Sequence, residues 1–111
     1  MATMRELQDE VARYLEAKGK NWTHADNHCF RMTYLVEEVG ELARSIINVE
    51  ARIEEPNRRG LNESREAKLE KVKDALGDIL YHIFGISSEY GIDAEEAFRT
   101  AMRSIKQRYP V

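Results

Sequence analysis

The sequence predicts an all-α protein arranged as a four-helix antiparallel bundle. Apolar residues recur at intervals of three and four in four separate segments, which is the spacing of one helix face. Two capping boxes mark helix starts, and no stretch shows convincingly the two-residue alternation of a half-buried strand. With 111 residues the chain has the size of one domain, so we expect a single helical domain over residues 1–111.

The first two helices are predicted from caps and apolar spacing. The first runs from about Thr3 to Lys18, because Thr3 and Glu6 form a capping box that is followed by apolar residues at helical intervals. The second runs from about Asn27 to Ile53. Its apolar seam has the alternating spacing of helices that pack side by side and consists of Leu35, Val39, Leu42, Ile46 and Val49.

A connection separates these helices from the third. Pro56 and Gly60 mark the segment from Glu54 to about Asn62 as non-helical. The third helix is predicted to end near Tyr90, because Gly91 suits a left-handed position after a helix. Its apolar seam consists of Leu69, Val72, Leu76, Ile79, Ile83 and Ile86.

The fourth helix is predicted to start after Asp93, which forms a capping box with Glu96, and to run through about Arg108. A chain this short buries only a modest core by itself. Because short bundles often self-associate, we expect the bundle to be completed by oligomerisation, as a homodimer or homotetramer.

Composition excludes several classes of protein. Apolar residues make up 42% of the chain and charged residues 33%, which argues against disorder, and a net charge of −3 argues against nucleic-acid binding. Cys29 is the only cysteine, so no internal disulfide forms and a cytoplasmic location is expected. The charged first ten residues are unlike a signal peptide, and Asp78 and His82 interrupt the most apolar stretch, so no membrane segment is expected.

Three carboxylates crowd the middle of the second helix, at Glu37, Glu38 and Glu41. Like charges three or four residues apart repel by roughly 0.2 to 0.5 kcal/mol per pair. An acidic helix face is ordinarily just solvated, but these three lie among apolar residues and have no lysine four positions on. A bound divalent cation such as magnesium would offset the repulsion, because hard ions take oxygen ligands.

Helical rotation divides this triplet and pairs it with the third helix. At about 100 degrees per residue, Glu38 borders the apolar seam, Glu41 lies beside it and Glu37 points further out. On the third helix Asp74 and Asp78 are one turn apart, and the same strip carries Lys71 and His82. If the two helices are neighbours, these acids form a cluster of four or five carboxylates.

Two segments resemble motifs of the MazG-like all-α nucleoside triphosphate pyrophosphohydrolases. The run Glu37–Leu42 resembles their EExxE motif, and Ala75–Tyr81 resembles their later ExxD motif. The ending Lys106–Pro110 is similar to the family's basic tail, so the resemblance extends from about Trp22 onward. One departure stands out: the glutamate expected three residues before Asp78 is Ala75. The adjacent Asp74 gives the DxxxD spacing of relatives that resemble phosphoribosyl-ATP pyrophosphohydrolase.

The resemblance implies hydrolysis of a nucleoside or deoxynucleoside triphosphate to the monophosphate and pyrophosphate, with magnesium or alternatively manganese. It implies Glu38, Glu41 and Asp78 as metal ligands, with Asp74 as the replacement ligand. Glu37 is the candidate to orient or deprotonate water, or to hold a further ion. The candidate substrate-binding residues are Lys106, Arg108, Tyr81 and Trp22, for which surface charge or core packing is the alternative.

Other functions stay open at this stage. A phosphoribosyl-ATP pyrophosphohydrolase-like enzyme would use the same acids. A non-catalytic helical oligomerisation or regulatory module would explain Ala75. Ferritin-like di-iron chemistry is disfavoured, because no glutamate stands three residues before a histidine.

Overall fold

The computed structural model describes residues 1–18, 28–50 and 63–111, and within these ranges the chain forms four α-helices and no strand. The helices are α1 Met4–Lys18, α2 His28–Glu50, α3 Arg65–Glu89 and α4 Ala94–Arg108. The predicted all-α fold is confirmed. The predicted end of the second helix at Ile53, the connection through Pro56 and Gly60, and Trp22 lie outside the described residues.

Local capping chemistry sets the start of α1. Thr3 Oγ1 accepts a hydrogen bond from the Glu6 backbone N–H at 3.1 Å, and Glu6 Oε1 accepts one from the Thr3 N–H at 3.3 Å. These reciprocal bonds are the predicted capping box, and they satisfy two backbone donors that the first helical turn leaves without partners.

The turn between α3 and α4 is fixed by a glycine. Gly91 has φ of 65°, a left-handed conformation that other residues rarely adopt. The Ile92 N–H donates to the Ser87 carbonyl at 2.8 Å and the Gly91 N–H donates to the Ser88 carbonyl at 3.1 Å. This pattern is a Schellman motif, so α3 ends as the sequence predicts.

Asp93 then starts α4 and ties it to α1. Its Oδ1 accepts hydrogen bonds from the N–H groups of Glu95 and Glu96 at 3.0 and 3.3 Å. Arg5 Nε of α1 donates to Asp93 Oδ2 at 2.8 Å. The Asp93 carboxylate therefore caps α4 and also binds Arg5 of α1.

The described chain divides into two compact units, and the first comprises Met1–Arg31 and Ile83–Val111. Within it α1 packs against α4. Gln8 is buried there: its Nε2 donates to the Ile92 carbonyl at 2.7 Å, and its Oε1 accepts from the Ala94 N–H at 2.8 Å. A side chain of α1 thus satisfies backbone groups on both sides of the α4 cap.

The second unit comprises Met32–His82, and in it α2 and α3 are antiparallel neighbours. The rings of Tyr34 and His82 have centroids 6.3 Å apart, and Glu38 lies close enough to Asp78 for their charges to interact. Tyr34 precedes Glu38 along α2, whereas His82 follows Asp78 along α3, so the two helices run in opposite directions. The predicted pairing of the two acidic helices is therefore present.

Much of the predicted apolar seam is open in the single chain. Val39, Ile46 and Leu76 are 49%, 47% and 48% exposed, whereas a core side chain would be almost fully covered. The sequence predicts these positions as packed, and within one chain they are only half covered. That a second copy of the chain covers these side chains remains a prediction.

Two expectations concern the whole chain. A single domain over 1–111 remains a prediction. As for membranes, no helix in the described ranges combines the length and the apolar character needed to cross a bilayer.

Replacing Gln8 tests the hydrogen bonds that hold α1. Gln8→Ala removes both backbone bonds and a third to Ser88 Oγ, leaving buried groups without partners. We expect the free energy of unfolding to fall by about 2 to 3 kcal/mol. Asp9→Ala, at an exposed neighbouring position, is the control, and chemical denaturation followed by circular dichroism measures both. Equal losses in the two variants would contradict the account.

Candidate functional site

Carboxylates from α2 and α3 converge on one cavity in the second unit. The cavity has a volume of about 270 Å³. Its lining residues are Glu38, Glu41, Ser45, Lys71, Asp74, Ala75 and Asp78. Both acidic pairs that the sequence predicts to converge, one from each helix, therefore face the same space.

Helical spacing and small side chains explain this arrangement. Glu38 and Glu41 are three residues apart and Asp74 and Asp78 four apart, so each pair lies on one side of its helix. Ser45 and Ala75 are both buried in the wall, at 8% and 6% exposure. The position at which the resembled motif has a glutamate is therefore occupied by a buried methyl group rather than by a further carboxylate.

Glu38 is the electrostatically strained member of the cluster. Burial raises the pKa of its carboxyl above the ordinary value of 4.5, and the charge and hydrogen bond of Asp78 raise that pKa further, with smaller contributions from Glu41 and Glu37. Without a cation, ionisation of Glu38 beside the other acids of the cavity is therefore disfavoured.

Asp74 faces the cavity although its side chain is exposed. The sequence leaves open whether Asp74 is a surface acid paired with Lys71 or Lys73. The Lys71 ammonium instead lies 2.6 Å from Glu63 Oε1, and among the described residues neither lysine forms an ion pair with Asp74. This placement is the one that a replacement ligand requires.

Glu37 takes a different position from its two neighbours. It is exposed and is not among the residues that line the cavity, although its charge contributes to the raised pKa of Glu38. The structure thus divides the triplet as helical rotation predicts, into a converging pair and an outlying carboxylate. The catalytic role of Glu37 remains a prediction.

The cavity presents the oxygen donors that hard cations prefer, but its acids are not already arranged as a metal site. All four acids present oxygen donors, which suit magnesium and manganese. Among the described residues, no three Asp, Glu, His or Cys side chains are already placed to hold a metal ion. Binding a cation in the cavity requires Glu38, whose pKa is raised, to give up its proton.

The predicted substrate-binding residues are distributed over the chain. Tyr81 is half-buried and packs edge-on against His82 with ring centroids 5.2 Å apart, in agreement with core packing. Lys106 and Arg108 lie in the last turn of α4, and the Arg108 guanidinium lies 5.8 Å from the centroid of the Tyr109 ring. Trp22 lies outside the described residues, and the binding roles of all four residues remain predictions.

Sequence reasoning missed Ser45 in the cavity wall, whereas it placed Lys71 on the strip of Asp74 and Asp78 without giving it a role. Ser45 follows Glu41 by one turn, so the same rotation that selects the acids also selects Ser45. Its neutral hydroxyl made it inconspicuous among metal ligands.

Comparison with known proteins agrees with the two motifs. The model of the MazG nucleotide pyrophosphohydrolase domain matches residues 27–111, which include all four acids of the cavity. The chain is also similar to the uncharacterized protein YvdC of Bacillus subtilis (strain 168), with 25% identity over 99 residues that cover 89% of each chain.

The raised pKa of Glu38 predicts an unusual pH dependence of stability. A carboxyl whose pKa is higher in the folded protein stabilises the fold below its ordinary pKa, and this contribution is lost as pH rises through the folded value. In the presence of a chelator, we expect Glu38→Gln to be more stable than the wild type at neutral pH. The gain should shrink to nothing as pH falls below 4.5.

Urea denaturation over a range of pH values measures this difference. Glu70→Gln, at an exposed position of α3, is the control and should show no such trend. A difference between Glu38→Gln and the wild type that stays constant with pH would contradict the electrostatic account.

Proposed function

This chain belongs to the MazG nucleotide pyrophosphohydrolase family, and on this premise we propose that it hydrolyses a nucleoside or deoxynucleoside triphosphate with magnesium. The bond broken is the anhydride between the α and β phosphates, so the products are the monophosphate and pyrophosphate. The observation that carries the proposal is the convergence of Glu38, Glu41, Asp74 and Asp78 on one cavity within the matched residues.

Charge explains why such a cavity would need a cation. A triphosphate carries about four negative charges, and the cavity wall presents four carboxylates, so direct contact is repulsive. Glu38, Glu41, Asp74 and Asp78 would hold magnesium or manganese, which would supply positive charge that offsets the repulsion and stabilises charge that develops on the phosphates.

The acids have distinct proposed roles. Glu38, Glu41 and Asp78 are the proposed cation ligands, and the raised pKa of Glu38 identifies the carboxyl that has most to lose by ionising without a cation. Asp74 is the proposed substitute for the acid that Ala75 lacks, because it lines the same cavity one turn before Asp78.

Glu37 is the proposed general base. It lies next to Glu38 but outside the cavity lining, so its carboxylate is available to a water that approaches from solvent. By accepting a proton from that water, or by orienting it through a hydrogen bond, Glu37 would favour attack on the α phosphorus.

A second substrate class follows from the spacing of the two aspartates. Asp74 and Asp78 form the DxxxD pattern that resembles phosphoribosyl-ATP pyrophosphohydrolases, and both residues line the cavity. The bond broken would again be an anhydride that releases pyrophosphate. Testing phosphoribosyl-ATP beside the common and modified triphosphates separates the two substrate classes.

Self-association is part of the proposal. The half-exposed side chains of Val39, Ile46 and Leu76 form an incompletely covered apolar surface on the two helices that carry the acids. Burial by a second copy would remove this surface from water and stiffen the helices that position the site. A homodimer or homotetramer is the proposed assembly.

Neutralising one ligand tests the enzymatic proposal. Glu41→Gln and Asp78→Asn keep the size of the side chain but remove a charge from the cavity. We expect magnesium-dependent pyrophosphate release to fall by on the order of a hundredfold, with helix content unchanged. Asp9→Asn on α1 is the matched control and should keep wild-type activity. Absence of turnover of every triphosphate by the wild type, together with no cation binding, would refute the proposal.

Asp74→Asn tests the substitute ligand separately. We expect the affinity for magnesium, measured by calorimetry, to fall by about tenfold, because one donor charge is lost while the other acids remain. Glu70→Gln, one turn earlier on α3 and outside the cavity lining, is the control. Unchanged affinity in Asp74→Asn would remove Asp74 from the site.

A further inference from the structure

The side of α2 that faces away from the acidic cavity carries an exposed apolar surface, which we call the α2 stripe. The stripe is centred about 140 degrees around the helix from Glu38, which lines the cavity. Its larger side chains are between 47% and 60% exposed, whereas a packed core side chain would be almost fully covered. The members of the α2 stripe are Met32, Val36, Val39, Gly40, Ala43, Ile46 and Ile47.

Gly40 lies at the middle of the α2 stripe, where neither backbone conformation nor local packing requires a glycine. A glycine destabilises the interior of a helix relative to alanine. Its φ is not positive, so the backbone would accept other residues. Apart from its own helix backbone and its sequence neighbours, nothing in the described chain lies within 4 Å of the point that a Cβ would occupy. A residue without a side chain allows a second helix to approach closely at this point.

The α2 stripe is complementary to itself when two copies of α2 run antiparallel. A two-fold axis then relates the helices, so residues equally far from the centre on opposite sides meet. With the centre near Gly40, Val36 of one copy meets the small Ala43 of the other, and the two Gly40 positions face each other. Met32 meets Ile46 in the same way. A parallel pair would instead place each side chain against its own counterpart.

Opposite charges flank the α2 stripe in the same antiparallel arrangement. Glu37 and Arg44 lie on one edge of the stripe, because they are seven residues and therefore about 20 degrees apart. Both are exposed, and among the described residues neither forms an ion pair within its own chain. In the antiparallel pair, Glu37 of each copy lies beside Arg44 of the other. A parallel pair would bring like charges together, which is unfavourable.

We propose that α2 of one copy packs antiparallel on α2 of a second copy through the α2 stripe, with Gly40 at the crossing point. This inference rests on the self-association in the proposed function and specifies its surface and its direction. A second copy is the favoured occupant, because the symmetric order of large, small and charged residues matches itself. The pairing brings Arg44 of the second copy beside Glu37, the proposed general base.

Disulfide cross-linking tests the direction and register of the pair. Cys29 is the only cysteine, so a Cys29→Ser background carries only the introduced thiols. We expect a refolded mixture of Val36→Cys and Ala43→Cys chains to form cross-linked dimers under mild oxidation, because these positions meet. Neither variant alone should cross-link, because its two thiols are then about 10 Å apart along the helix axis.

Two outcomes of the cross-linking contradict the proposal. Cross-linking of either variant by itself would indicate a parallel pair. A dimeric wild type whose mixture of variants does not cross-link would show that the α2 stripes do not meet in this register. Sedimentation of the reduced chains verifies that both variants still assemble.

Gly40→Leu provides a second test that does not depend on cross-linking. A leucine at this position has open space within its own chain, but it would hold the two helices apart. We expect the dissociation constant of the dimer, measured by analytical ultracentrifugation, to rise by at least about tenfold. Gly77→Leu is the matched control, because Gly77 of α3 has equally open surroundings and lies outside the α2 stripe. Unchanged association in Gly40→Leu would overturn the proposal.

Sedimentation and pyrophosphate release separate this inference from the proposed function. A wild type that sediments as a monomer would overturn both the α2 pairing and the proposed self-association, whatever its activity. An assembled wild type that releases pyrophosphate from no triphosphate would overturn the proposed hydrolysis, whereas the cross-linking result would still decide the α2 pairing.

Discussion

The contact between the carboxyls of Glu38 and Asp78 is the constraint on which the candidate site depends. It joins the two acidic helices where like charges meet, and burial together with the neighbouring charge raises the pKa of Glu38. A carboxyl with a raised pKa stabilises the fold while it is protonated, and this contribution is lost when it ionises. A divalent cation would replace the proton and allow all the acids to be charged at once.

Ala75 connects the architecture to the chemistry. Its small buried side chain lines the cavity together with Ser45, at the position where the family motif has a carboxylate. Alanine at this position removes one possible metal ligand. Asp74, the preceding residue, also lines the cavity and is the proposed substitute. The identity of this one position therefore alters the set of acids available to a cation at the proposed site.

Local chemistry made part of this structure predictable. Thr3, Gly91 and Asp93 act on backbone groups within a few residues, so the helix ends they set follow from sequence alone. Helical rotation likewise separates Glu37 from Glu38 and Glu41 without knowledge of the partner helix. The burial of Gln8 and the half-exposed seam depend on how distant segments meet, which periodicity does not encode.

Proton release on magnesium binding tests the central claim most directly. Calorimetry at mildly acidic pH, repeated in buffers with different ionisation enthalpies, counts the protons that leave when the cation enters. We expect proton release from Glu38 in the wild type and a smaller release in Glu38→Gln, because the amide has no proton to lose in this range. Magnesium binding without proton release, or with the same release in Glu38→Gln, would contradict it.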